Sequence, residues 1–239
     1  MLTLVMLLAL LFVPFQQAAA PTAPPPEGGL TLYYDSFDGG GPSYTVDIED
    51  ETILSCASEQ RYLDANHEEL DGAGYDVCFT FTGLRPGRTL VVVTADSPIL
   101  GEAVADCFFV TVDESLRLTC AELPRVTRLD LYRAGSLVPR SFTVWLDDDG
   151  KCWFAEDVSG AAHTISEDIL DELTVAAARW DLAAWDGFSE ENLYVLDGEF
   201  FSLEIDFADG TSIRADGNNA FPPGYFDAMG DLEDILTDQ

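Results

Sequence analysis

Lysine is nearly missing from this sequence. Lys151 is the only one, and with ten arginines it sets 11 cations against 44 carboxylates, a formal charge of −33. That excess removes the electrostatic attraction on which non-specific nucleic-acid binding depends, and it opposes anionic lipid surfaces. Histidine is scarce too, with only His67 and His163, and there is no CxxC pair or Cys/His set at zinc spacing. Residues 67–71 (HEELD) fall short of a zinc-protease helix because Asp71 stands where the second histidine is needed. No Gly-x-Ser-x-Gly turn and no glycine-rich phosphate loop occurs, so the familiar nucleophilic and phosphate-binding chemistries have no footing. What is present is core material. Hydrophobic residues make up 47% of 239, far above a disordered acidic tail, and the length suits one large domain or two small ones.

Residues 2–15 form an uncharged run interrupted only by Pro14. A membrane-crossing helix needs about 20 apolar residues, so this run is short for a span, and an uncleaved anchor is the alternative to a leader. Three alanines at 18–20 then supply the small residues of a cleavage site. Residues 1–20 therefore read as a signal peptide and residues 21–29 as a Pro-rich linker. The expected location is secreted or cell-envelope associated, with no membrane span after leader cleavage.

Export permits disulfides, but five cysteines leave at least one over. A two-residue tip at Asp113 and Glu114 sets Val112 opposite Ser115, Phe109 opposite Leu118 and Cys107 opposite Cys120. That last pair is non-hydrogen-bonded, close enough for a bridge. Cys56 with Cys78 is a further candidate pair, and Cys152 is the odd one.

Stretches 30–34, 44–48, 77–81, 90–94, 104–112 and 116–120 are β-rich. Val77, Phe79 and Phe81 alternate with smaller residues, which gives one buried face. Residues 90–93 (LVVV) are apolar on both faces and read as a central strand. Residues 30–123 are therefore expected to form an immunoglobulin-like β-sandwich. After Pro124 the pattern changes. Strands are expected at 129–133, 142–146 and 151–155, then a helix from a capping box at 164–167 to about residue 185. Its apolar face is Ile169, Leu173, Ala177, Trp180 and Ala184. A strictly alternating strand at 201–207, a tip at Asp209 and Gly210 and a return at 213–215 follow. A last helix after Pro223 carries Phe226, Met229, Leu232 and Leu236 on its face. The order β-β-β-α-β-β-α makes residues 124–239 an α+β domain on an antiparallel sheet.

Segments 109–119 (FVTVDESLRLT), 185–188 (WDGF), 195–198 (VLDG) and 207–222 (FADGTSIRADGNNAFP) resemble recurring phrases of exported bacterial proteins of unknown function. This resemblance covers most of the chain after residue 100 and implies no mechanism. Residues 72–74 (GAG) and 78–87 (CFTFTGLRPG) are similar to the central segment of chagasin-type cysteine-protease inhibitors, which insert three loops into the protease cleft. The Asn-Pro-Thr-Thr-Gly loop of that family has no counterpart here, and residues 95–98 (ADSP) stand where its Arg-Pro-Trp loop would be. The resemblance therefore implies the fold more than the activity.

Three sets of residues are candidates for binding. Asp147, Asp149 and Glu156 fall at positions three, five and twelve of a calcium loop counted from Trp145, although Asp-Gly is equally a hairpin tip. The tryptophans Trp145, Trp153, Trp180 and Trp185 lie within 41 residues; they are core material by default and sugar platforms if exposed. Trp185, Asp186 and Phe188 at the predicted helix end are the expected exposed piece. Asn218 and Asn219 form a loop that either caps a helix or binds a ligand. No cofactor is expected. With 44 carboxylates some pair lies close together in any fold, so spacing assigns no hydrolase site. The sequence thus reads as an exported, non-catalytic binding protein with a protein or glycan of the envelope as partner. A chagasin-like inhibitor and a carboxylate-based hydrolase are the alternatives.

Overall fold

The computed structural model of the chain describes residues 29–63, 72–135, 139–156, 160–195 and 198–238. The expected signal peptide, residues 21–28 of the linker and the segment holding His67 lie outside them. The described residues are mainly β, with several antiparallel sheets and two α-helices. No helix among them is long and apolar enough to cross a membrane.

Seven strands come first: β1 (Leu30–Phe37), β2 (Ser43–Ile48), β3 (Leu54–Tyr62), β4 (Gly74–Gly83), β5 (Gly87–Ser97), β6 (Gly101–Val112) and β7 (Leu118–Glu122). They form two antiparallel sheets, β1-β4-β3 and β2-β5-β6-β7. One core joins them, in which Phe79 and Phe81 of β4 meet Val91 and Val93 of β5 and Phe108 and Val110 of β6. Strand β3 has no counterpart among the expected strands. It is an edge strand, and from Ala57 to Arg61 its side chains are exposed on both faces. The β4 ladder defines it, so no hydrophobic alternation is written in its sequence.

The second half holds β8 (Val126–Ala134), β9 (Arg140–Leu146), β10 (Cys152–Glu156) and β11 (His163–Ile165), then helix α1 (Asp168–Arg179) and a 3-10 turn (Leu182–Trp185). Strands β12 (Ser189–Glu191), β13 (Phe200–Phe207) and β14 (Ser212–Asn218) and helix α2 (Tyr225–Thr237) follow. One seven-stranded sheet runs β11-β10-β9-β8-β13-β14-β12, antiparallel except for the β12–β14 pair. The two short strands β11 and β12 at its edges add to the expected order. Thr164, expected to open a helix, pairs with Trp153 in β11 instead. The helix begins at Asp168, whose amide donates to Ser166 Oγ at 3.4 Å. It also stops early, because Asp181 takes a left-handed φ of 47°.

Both helices pack on one face of this sheet. Leu173 of α1 and Met229 and Leu232 of α2 share a core with Leu129, Leu131, Leu203 and Ile205. In α2 the sequence picks the wrong aromatic, since Tyr225 is buried and Phe226 is 66% exposed.

Helix α1 is buried on a second side as well. Val175 meets Leu90 and Val92 on the outer face of β5, with Cys107, Phe109 and Ala178 packed around them. Thr174 ties the same helix to the chain entering β8, accepting from the Val126 amide at 2.8 Å while donating to Leu170 O at 2.6 Å. The Arg125 guanidinium grips Asp171 through two bonds of 2.6 and 3.0 Å. The two-sided apolar run in β5 thus has a structural cause: one face serves the first core and the other receives α1. Truncating Leu90 to Ala is expected to cost about 2–5 kcal/mol in denaturant unfolding. A loss below about 0.5 kcal/mol, the range of surface substitutions, would show that this face is not packed.

Candidate functional site

The residues expected to meet a ligand at 185–219 build the end of the sheet instead. Trp185 is only 2% exposed. The turn at Asp181 swings it inward, where Nε1 donates to Pro223 O at 3.2 Å and the ring lies against Phe201 and Tyr225. Phe188 is half-buried and stacks on Phe201 with centroids 6.3 Å apart. Asp186 is exposed, but its Oδ1 accepts the Arg214 amide at 3.0 Å. Asn218 Nδ2 donates to Glu191 Oε1 at 3.0 Å, and Asn219 Nδ2 to Asn218 Oδ1 at 3.1 Å and to Val195 O at 3.3 Å. Asn219, at φ 55°, sits so close to Gly198 that a Cβ there would lie 1.2 Å from its Oδ1. Of these five only Asn219 lines the neighbouring cleft, about 540 Å³ in volume, together with Glu190 and the exposed Tyr194.

The calcium-loop expectation also fails on geometry. Asp147 Oδ1 accepts the amides of Asp149 and Lys151, each at 2.9 Å, and Oδ2 accepts Trp153 Nε1 at 2.7 Å. These bonds, the Lys151 amide first and the indole next, hold the Asp147 carboxyl below the usual carboxylate range. Its lone pairs point into the hairpin. Glu156 lies at the far end of β10, about 14 Å along the strand from the tip. Among the described residues no group of three or more His, Cys, Asp and Glu side chains could hold a metal.

The predicted Cys107–Cys120 bridge is wrong in register. Val110 pairs with Cys120 and Val112 with Leu118, so the connection is the five residues from Asp113 to Arg117. Asp113 Oδ1 accepts the amides of Ser115 and Arg117, and Leu116 takes a φ of 61°, which fixes this longer loop. The odd shift puts Cys107 and Cys120 on opposite faces. Cys56 pairs with Phe81 while Cys78 pairs with Glu59, so those two are offset as well. All five thiols are free. Burial raises every one of them, Cys107 to about 12 and Cys152 to about 11, which leaves them protonated and weakly nucleophilic at neutral pH.

The distinctive surface lies on the sheet face turned away from the helices. Side chains alternate along a strand, so Leu129 and Leu131 turning inward leave Arg128, Asp130 and Tyr132 outside. The same alternation turns out Thr143 and Trp145 from β9, Trp153 from β10, Glu204 and Asp206 from β13, and Arg214 from β14. Trp145 and Trp153 are directly opposed, half-buried, and stacked with centroids 6.1 Å apart at 12°. Arg128 stands opposite Trp145, and Asp206 opposite Arg128. Ion pairs fix the polar part. Arg128 Nε lies 2.6 Å from Asp130 Oδ2, whose other oxygen accepts Thr143 Oγ1 at 2.8 Å. Arg214 reaches Asp206 at 2.6 Å and Glu204 at 3.3 Å. Such exposed pairs add about 0–1 kcal/mol each, so their effect is to hold orientation rather than stability. Trp145 and Trp153 were candidates by sequence, whereas the arginine–carboxylate pairs beside them come from strands far apart in the chain and are brought together only by the sheet order.

A second feature crowns the first half. The β1–β2, β3–β4 and β5–β6 connections emerge at one end, as the β1–β4, β3–β4, β2–β5 and β5–β6 registers require. Exposed there are Phe37, Leu63, Ile99 at 87% and Leu100 at 81%.

Compared with known proteins, the chain matches no family model, no curated protein and no solved structure. Titrating thiols in denaturant without reductant is expected to count five, with Cys78 and Cys152 unreactive until unfolding. A count of three would restore a disulfide.

Proposed function

We propose that the chain is an exported, non-catalytic binding protein of the cell envelope or extracellular space. In this reading its first seven strands form an immunoglobulin-like sandwich and the seven-stranded sheet presents the binding face. The observation that carries it is that outward face, where half-buried stacked indoles lie beside oriented arginine–carboxylate pairs. Preset aromatic and polar groups on rigid strands suit recognition. His163, the described histidine, is exposed on an edge strand with its ring edge-on to Phe154, and the thiols are held protonated.

A second reading is favoured by the apolar end of the first half. Ile99 and Leu100 at the β5–β6 tip, at the same end as Leu63 and Phe37, would suit insertion into the cleft of a papain-like protease. This reading rests on the chagasin-like segment at residues 72–95.

Expressed with its own leader, the chain is expected outside the cytoplasm, starting near residue 21, and retained on insoluble envelope material. Recovery as an intact cytoplasmic protein that such material does not hold would overturn the proposal. For the second reading, inhibition of papain at micromolar concentration, lost in the double variant Ile99→Asp and Leu100→Asp, is the expected result. No inhibition by the parent chain would remove it.

A further inference from the structure

We infer that the Trp145–Trp153 face of the seven-stranded sheet is a platform for an uncharged polysaccharide; this rests on the reading of the chain as a binding protein. The outward side of a sheet backed by helices is ordinarily polar, and here the ion pairs meet that expectation. The two indoles do not, and neither does the Tyr132–Phe200 pair further along the face. Large aromatics normally go to the core, and the two indoles stand half-buried on the solvent side with nothing among the described residues packed over them as a core. Asp147 accepts the Trp153 Nε1 proton at 2.7 Å, which fixes that ring and satisfies its polar edge within the protein. The stacked pair is thus held in place on the solvent side before any ligand arrives.

Beside the rings lie the partners that hydroxyl groups need. Arg128, directly opposite Trp145, has Nε committed to Asp130. Asp206 is next in the same row and is held by Arg214. Arginine forks and carboxylates paired with one another still have free donor and acceptor positions for hydroxyl groups. The row Thr164, Trp153, Trp145, Arg128, Asp206 and Ser212 crosses six strands, about 24 Å at the strand spacing. That is a track for several sugar rings rather than a pocket for one.

Charge selects among occupants. The chain carries a formal −33, and on this face Asp130, Glu204, Asp206 and Asp216 outnumber Arg128 and Arg214. An anionic polymer is repelled. A protein partner would have to strip water from these ion pairs, and protein interfaces exclude such charges from their centres for that reason. An uncharged glycan packs its C–H groups against the exposed parts of the indole pair and leaves the ion pairs hydrated.

The test uses the full chain, sedimented with insoluble cellulose, chitin and β-1,3-glucan, with alginate as the anionic comparison. Three variants accompany it: Trp145→Ala with Trp153→Ala, Trp145→Phe with Trp153→Phe, and Tyr194→Ala as a control at a fully exposed aromatic elsewhere. Retention on at least one neutral polysaccharide is expected, weakened about tenfold or more by the alanine pair. The phenylalanine pair should keep part of it, and Tyr194→Ala and alginate should show no effect and no binding respectively. Unchanged melting of the phenylalanine pair separates lost contact from lost folding. Retention indifferent to both tryptophan pairs, or none on any neutral glycan while envelope material still holds the chain, overturns this inference alone. Failure to bind envelope material as well removes the binding reading with it.

Discussion

The architecture depends on α1 having two buried sides. A strand such as β5, apolar on both faces, cannot stay at the surface of an isolated two-sheet unit. Val91 and Val93 satisfy one side within the first core, and Leu90 and Val92 require a cover on the other. Val175 supplies it, from a helix whose Leu173 and Ala177 are already committed to the seven-stranded sheet. Each half therefore supplies part of the other's packing, and Arg179 beside Asp47 at 3.7 Å spans the same junction. A cut after residue 123 would bare Leu90 and Val92 to water.

That arrangement also explains why the candidate face is free. Both helices pack on one face of the large sheet, and α1 on that face also carries the contact with β5, so the Trp145–Trp153 side is the one turned away from the helices. Leucines and isoleucines of β8 and β13 turn inward, while Arg128, Asp130, Glu204 and Asp206 turn outward. Trp145 and Trp153, with Tyr132 and Phe200, depart from a polar outer face, and a departure from the usual placement of residue types is where function is most reasonably sought.

Much of this was legible from pattern alone. The alternation at 201–207, the double-sided run at 90–93 and the hairpin at Asp209 and Gly210 appear as β13, β5 and the β13–β14 turn. What was not legible turned on single backbone conformations or on tertiary support. Leu116 at φ 61° lengthens a hairpin loop from two residues to five and so moves Cys120 away from Cys107. Asp181 at φ 47° ends a helix early and sends Trp185 inward rather than outward. Strand β3 exists because β4 pairs with it, not because its own residues call for a strand. In the candidate face, the alternation was visible, but which side of each strand would be left uncovered depends on where the helices dock.

The most direct measurement of the central claim is equilibrium unfolding in denaturant, followed by two probes at once. All four tryptophans lie between residues 145 and 185, so their emission reports the second half only, while far-ultraviolet circular dichroism reports the strands of both. If α1 binds the halves into one cooperative unit, the two curves superimpose in a single transition. A tryptophan transition separated from a second, circular-dichroism-only step would contradict the account and show that the halves unfold independently.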